Sequence, residues 1–240
     1  MRARTDVYES AKKSEATLTG QTGWGFHVAN FVSYVVNPMI LPPILFGLVL
    51  SHYGIPPREI GSTMLMVTLF FGIIPLGYVA RLLRRNEVES INVEVRQKRN
   101  RPYAVAILSS LTAALPAFFV APSASRLVAA LVLCYGLNTT LAALINLRWK
   151  ISIHLLSIAG FLSFLLFITY PPLPAPSPPQ SLLNAEWLAC VAVLVPLLMW
   201  ARVRVGAHTP AQVVAGAAFG LVIPYAELFL LYRTGILPGF

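Results

Sequence analysis

Six stretches of this 240-residue chain contain no Asp, Glu, Lys or Arg: residues 16–57, 60–80, 102–125, 127–147, 151–185 and 205–226. A helix needs about 20 apolar residues to cross the hydrocarbon core of a bilayer, and each stretch holds at least that many. Charged residues make up only 11% of the chain, against about a quarter in soluble domains. The chain therefore reads as an all-α, polytopic membrane bundle. Seven spans are expected, at about 25–51, 60–82, 103–121, 125–147, 153–170, 182–201 and 209–232. Prolines at 38, 42, 43, 75, 116, 196 and 224 fall inside them, which packed bilayer helices tolerate. Asn37-Pro38 reads as a helix break, and Gly216/Gly220 as a small-residue face for close helix approach.

Residues 1–22 form a polar tail without the apolar core of a signal peptide, and disorder is expected over most of it. Residues 23–240 form a single transmembrane domain. PPLPAPSPPQ at 171–180 is linker chemistry. Cys134 and Cys190 sit mid-run without CxxC spacing, so two buried, inert thiols are expected and no disulfide framework or metal site.

Seven crossings divide the connections between two faces. The tail, 83–102, 148–152 and 202–208 share one face, which carries fifteen of the eighteen basic residues. The positive-inside rule makes it cytoplasmic. The net charge of +9 suits anionic head groups. Nucleic acid is not implied, because no recognition module or aromatic-interleaved basic stripe appears.

Three polar clusters lie on that basic face: EVRQKRNRPY (94–103), RWKISIH (148–154) and ARVRVGAH (201–208). Two spans separate each from the next, so all three can meet at one pocket. Arg96, Lys98, Arg99, Arg101, Lys150, Arg202 and Arg204 bring only donors, and arginine forks match phosphate oxygens. His154 and His208 each stand at the start of a span, where a helix N-terminus favours a bound anion. A histidine there supplies proton transfer or nucleophilic attack at neutral pH. Positive-inside flanking for 96–101 and snorkelling for Arg202 and Arg204 are the plainer readings of the same cations. Glu227, inside the last span, is either a functional acid or close enough to the far interface to be solvated.

Arg202-x5-His208-x3-Gln212-Val213-x2-Gly216-x3-Gly220 resembles the third signature of the type 2 phosphatidic acid phosphatase superfamily, S-R-x5-H-x3-D. Ile151-Ser152-Ile153-His154 resembles that family's P-S-G-H, and Arg101-Pro102 the end of its K-x6-R-P. The likeness spans residues 94–220. With SYVVNPMILPP (33–43), it is most similar to a bacterial branch with K-I-S-x-H and A-H-T-x-x-Q-V variants.

The resemblance implies that family's fold and a metal-independent, cofactor-free lipid-phosphate phosphatase of the bacterial inner membrane. It implies that His208 attacks a phosphomonoester or diphosphate to give a phosphohistidine, that His154 protonates the leaving oxygen, and that Gln212 stands where the histidine's acid belongs. Arg101 and Arg202 would clamp phosphate, with Ser152 adding a hydrogen bond and Lys98, Arg96 and Lys150 adding charge. The expected substrate is phosphatidate, phosphatidylglycerophosphate, or a polyprenyl phosphate or diphosphate. The departures are Glu94 at the first signature's lysine, Ala201 at the serine, Ile151 and Ile153 at the proline and glycine, and Gln212 at the aspartate. Lys98 could stand in for the lysine, and Glu94 could swing in to serve His208.

Two alternatives stay open: a degenerate relative that binds or moves a lipid phosphate without hydrolysing it, and a phosphotransferase that passes the phosphoryl group to an alcohol. An aspartate-rich polyprenyl transferase is disfavoured, since Asp6 is the only aspartate. An ion-coupled transporter would carry its charges near the midplane.

Overall fold

The computed structural model of the protein describes residues 23–93, 95–170 and 185–235. Those residues are all-helical, with eight principal helices. They are α1 (Trp24–Val35), α2 (Leu41–His52), α3 (Pro57–Arg84), α4 (Asn100–Val120), α5 (Ser125–Asn146), α6 (Ile153–Thr169), α7 (Ala185–Arg204) and α8 (Pro210–Arg233). Four helical stretches are long and apolar enough to cross a bilayer: Pro57–Arg84, Arg96–Val120, Pro122–Asn146 and Pro210–Arg233. Leu41–His52 and Ile153–Thr169 are shorter apolar helices. Large apolar side chains such as Leu65, Leu115, Phe119 and Leu230 stand exposed on the outside. A surface that apolar is compatible with contact to lipid.

The expected first span, 25–51, is not one helix. It is divided into α1 and α2, because Pro38 offers no N–H and disfavours a helical Asn37. The Asn37 Oδ1 accepts the Met39 N–H at 2.9 Å and closes an Asx turn there. Pro42 and Pro43 then fall in the first turn of α2, where a missing N–H costs nothing.

A second proline shapes α3. Residues Thr68–Ile73 form a π-helical turn, in which the Phe70 carbonyl would look to residue 75 for its N–H. Residue 75 is proline, and the Ser109 hydroxyl of α4 donates to that carbonyl instead, at 2.5 Å. Hydroxyl rescue of this kind is how bilayer helices accommodate proline.

The closest pairing in the bundle is α6 on α8. A Cβ on Gly216 would stand 2.6 Å from the Ser152 carbonyl oxygen, and one on Gly220 would run into the Leu156 carbonyl while standing 3.0 Å from the Gly160 nitrogen. These neighbours are backbone and cannot step aside, so the glycines are what let the two helices approach. Gly220→Ala is expected to destabilise the protein by about 1–3 kcal/mol or more, read as a lower melting temperature in detergent. Gly77→Ala meets nothing within 4 Å and is expected to melt with or above the wild type.

Cys134 is buried, as expected, but Cys190 is exposed. α7 packs on α1, α6 and α8, and Cys190 lies on the surface it leaves outward. An apolar run therefore fixes immersion in an apolar medium, and not burial within the protein.

Hydrogen bonds show which loops share an end of the bundle. The Glu59 carboxylate accepts the Ser123 N–H at 3.1 Å and its hydroxyl at 2.8 Å, joining the start of α3 to the α4–α5 turn. At the opposite end, Arg96 donates to the carbonyls of Asn146, at 2.8 Å, and of Leu147. Arg99 reaches the Ile151 carbonyl at 3.3 Å, and the Lys150 ammonium donates to the Ala207 carbonyl at 2.7 Å. The three polar clusters thus meet at one end of the bundle. The expected linker at 171–180 and Glu94 lie outside the described residues.

Candidate functional site

The third cluster is held by the local geometry of two helix ends. α7 finishes in a Schellman motif, in which Gly206 takes a positive φ of 71°. The Ala207 N–H reaches the Arg202 carbonyl at 3.1 Å and the Gly206 N–H reaches that of Val203 at 3.0 Å. Two residues on, Thr209 caps α8. Its hydroxyl accepts the Gln212 N–H at 3.4 Å, and the Gln212 Oε1 accepts the Thr209 N–H at 3.3 Å. His208 sits between the two motifs, with a backbone that both ends constrain.

The same Gln212 Oε1 lies 3.1 Å from His208 Nδ1. An oxygen that already accepts a backbone N–H is an acceptor, so the imidazole must present Nδ1–H to it. That selects the tautomer whose Nε2 keeps its lone pair. Gln212 therefore does two jobs, capping α8 and orienting His208.

His208 and three charged or ionisable groups near it lie below the surface. Arg99 is 4% exposed, Arg202 2%, His154 7% and His208 6%. The Arg99 Nε donates to the Val93 carbonyl at 2.7 Å, which aims the guanidinium inward. The His154 ring bonds the Ser33 backbone, and its Nε2 has no partner among the described residues. Burial, followed by the charges of Arg99, Arg202 and Lys150, pushes the His208 imidazole down to about 3, and the hydrogen bond to Gln212 opposes that shift only in part. His208 is accordingly neutral, with a lone pair, at any physiological pH.

Both histidines and Arg99 line a cavity of about 210 Å³ that continues between the helices. Away from the histidines its walls are mostly apolar, formed by residues such as Leu45, Phe46, Leu131, Phe161 and Phe164. The Phe71 ring, carried on the π-helical turn, stacks on Tyr135 with centroids 3.9 Å apart in the same wall. The cavity thus joins a cationic, histidine-bearing part to a larger, mostly apolar part.

The structure sorts the expected site residues into two groups. His208, His154, Gln212, Arg202 and Lys150 come together, and Ser152 lies buried against α8 with a hydroxyl that has no partner among the described residues. Three others lie elsewhere. Arg101 is exposed and pairs with Glu87 at 3.1 Å. Lys98 pairs with Glu89 at 3.6 Å on the surface. Arg96 binds the carbonyls that end α5, which is a helix-capping task.

The arginine that the first cluster sends inward is Arg99, two residues before the one that the motif alignment selects. The signal was in the helical register. Arg99 lies on the same stripe as Tyr103, Ser110, Ala113 and Ala117, all of them buried, whereas Arg101 points about 160° away from it. No family model, curated protein or solved structure matches this chain, and the function is argued from the residues themselves.

Proposed function

We propose that the protein is a membrane-embedded, metal-independent phosphatase of a lipid phosphate or polyprenyl (di)phosphate, working through a phosphohistidine on His208 at the cytoplasmic face. The observation that carries the reading is the pair of histidines in one cavity. One has its tautomer fixed so that Nε2 bears a lone pair, and the other offers an Nε2 without a partner.

In the first step His208 Nε2 attacks phosphorus, the P–N bond forms and the bond to the lipid oxygen breaks. His154 Nε2–H gives its proton to that leaving oxygen. A proton on His154 stands close to the charges of Arg202 and Arg99, and the bound phosphate is the counter-ion that makes it tolerable. In the second step His154 takes a proton from water, the hydroxide attacks phosphorus, and the P–N bond breaks to release phosphate. Arg99, Arg202 and Lys150 supply the fixed positive charge that phosphoryl transfer needs most from a protein.

Inorganic phosphate release in detergent with chelator present, across phosphatidate, phosphatidylglycerophosphate and polyprenyl (di)phosphates, tests the reading. Turnover on one of these lipids supports it, and none on any removes it. Two of the three arginines of the first cluster make the geometry testable as well. Arg99→Ala is expected to lower kcat/KM by about 10²–10³-fold, the scale of losing one preorganised donor. Arg101→Ala is expected to stay within about threefold, as an exposed ion pair contributes little. The opposite ranking would return the phosphate to Arg101.

A second reading has an observation of its own. Gln212 orients His208 but brings no negative charge for the imidazolium that phosphorylation creates. A protein that binds lipid phosphate without turning it over needs only the first of these. Tight binding of the lipid with no release of phosphate would select it.

A further inference from the structure

A second polar group lies deep in the same cavity, among walls that are mostly apolar. Asn138 of α5 is 7% exposed and lines the cavity. Its Nδ2 donates to the Cys134 carbonyl at 2.8 Å and to the Glu227 Oε2 of α8 at 2.6 Å. The Cys134 carbonyl can only accept, so the amide cannot be turned the other way. Both amide hydrogens are thereby used, and the Oδ1 is a buried acceptor with no partner among the described residues. Glu227 Oε1 beside it is buried and unpartnered as well. Asn138 precedes Asn146 by eight residues on α5, which is about 12 Å along the helix axis. Asn146 marks the head end, since its Nδ2 donates to the Arg96 carbonyl at 3.1 Å.

From this we infer that the cavity is built for a lipid whose apolar chain carries a hydroxyl group, with Asn138 Oδ1 accepting that O–H. A plain hydrocarbon tail would leave the acceptor desolvated and unpaired, at a cost comparable to the interaction itself. A hydroxyl on the chain would otherwise pay for its own burial, and here each group supplies what the other lacks. Glu227 acts as a positioning residue. It holds the Asn138 amide from α8 and so fixes the orientation of Oδ1. The inference deepens the lipid-phosphate reading, and rests on it only for the nature of the head group.

The test uses purified full-length protein in detergent, with octadecyl phosphate and its mono-hydroxylated isomers, the hydroxyl moved along the chain. Affinity is measured by calorimetry and phosphate release alongside it. One isomer is expected to bind about ten- to a hundredfold more tightly than octadecyl phosphate, the scale of satisfying one buried acceptor. In Asn138→Leu that preference is expected to vanish. If no isomer is preferred by the wild type, a water or nothing at all fills the position and the inference is overturned. That comparison stands whether or not the variant folds. Preference that survives Asn138→Leu would equally overturn it. A hydroxyl preference, with no phosphate release from these lipids or from the natural lipid phosphates above, keeps this site and removes the phosphatase reading; release without a preference does the reverse.

Discussion

Replacing His208 by alanine is expected to lower phosphate release by about 10⁴–10⁶-fold, the range seen when a covalent nucleophile is removed from a preorganised site. The residual rate would come from water attacking a phosphate that Arg99, Arg202 and Lys150 still hold. Affinity for the lipid should therefore change by no more than a few-fold, so the loss belongs in kcat and not in KM. A control is needed because the imidazole also bonds Gln212. Gln212 retains its capping contact with Thr209, and the melting temperature of the variant should stay near that of the wild type. A fall of less than tenfold in turnover would leave the phosphohistidine without support.

The second large effect runs the other way. Gln212→Glu keeps the length of the side chain and an oxygen for both His208 Nδ1 and the Thr209 N–H, and adds the charge that the glutamine lacks. In the serine-protease triad an amide in the acid's place costs about 10⁴ in rate. A gain of about 10²-fold or more in kcat is expected, with the remainder forgone because this cavity is arranged around a neutral side chain. The pH profile should move too. In the wild type His208 is held down to about 3, so its lone pair survives acidification and the acid limb from this group lies far below neutrality. The carboxylate raises the pKa, and the acid limb of kcat/KM is expected to shift upward in pH. Stability carries the same sign. A histidine with a lowered folded pKa binds fewer protons folded than unfolded between that value and the ordinary 6.5. Wild-type stability from this group is therefore complete above about 6.5 and is lost progressively as pH falls toward about 3. Gln212→Glu should lose less over that window. A variant no faster than wild type, with an unmoved acid limb, would show that the charge beside His208 is irrelevant to its work.

Much of this was legible from charge alone. The charge-free runs marked the helices, and the even number of crossings between the clusters predicted that Arg99, Lys150 and His208 could share one end of the bundle, where hydrogen bonds now join their loops. What misled was reading motif spacing without helical register. Arg101-Pro102 matches a signature, but the stripe through Tyr103 and Ser110 selects Arg99. The break at Asn37-Pro38 is visible in the sequence, yet hydropathy runs unbroken across 25–51 because it does not register a proline's missing N–H. Thr209-x-x-Gln212 is a capping box in the sequence itself, and reading Gln212 only as an absent acid hid its structural task. Glu227 stands out in the sequence as an acid inside a span, but its pairing with Asn138 was beyond reach. The two are 89 residues apart, and nothing local in either helix says that α5 and α8 bring them together.

The most direct test of the account is to trap the phosphoenzyme. Wild-type protein, mixed with a phosphate-labelled lipid substrate that it turns over and quenched within a single turnover, should carry label that is stable to base, labile to acid and mapped by mass spectrometry to the peptide containing His208. The label should be absent from His208→Ala. Turnover without any such label, or label that persists in the variant, would contradict a phosphohistidine at this site.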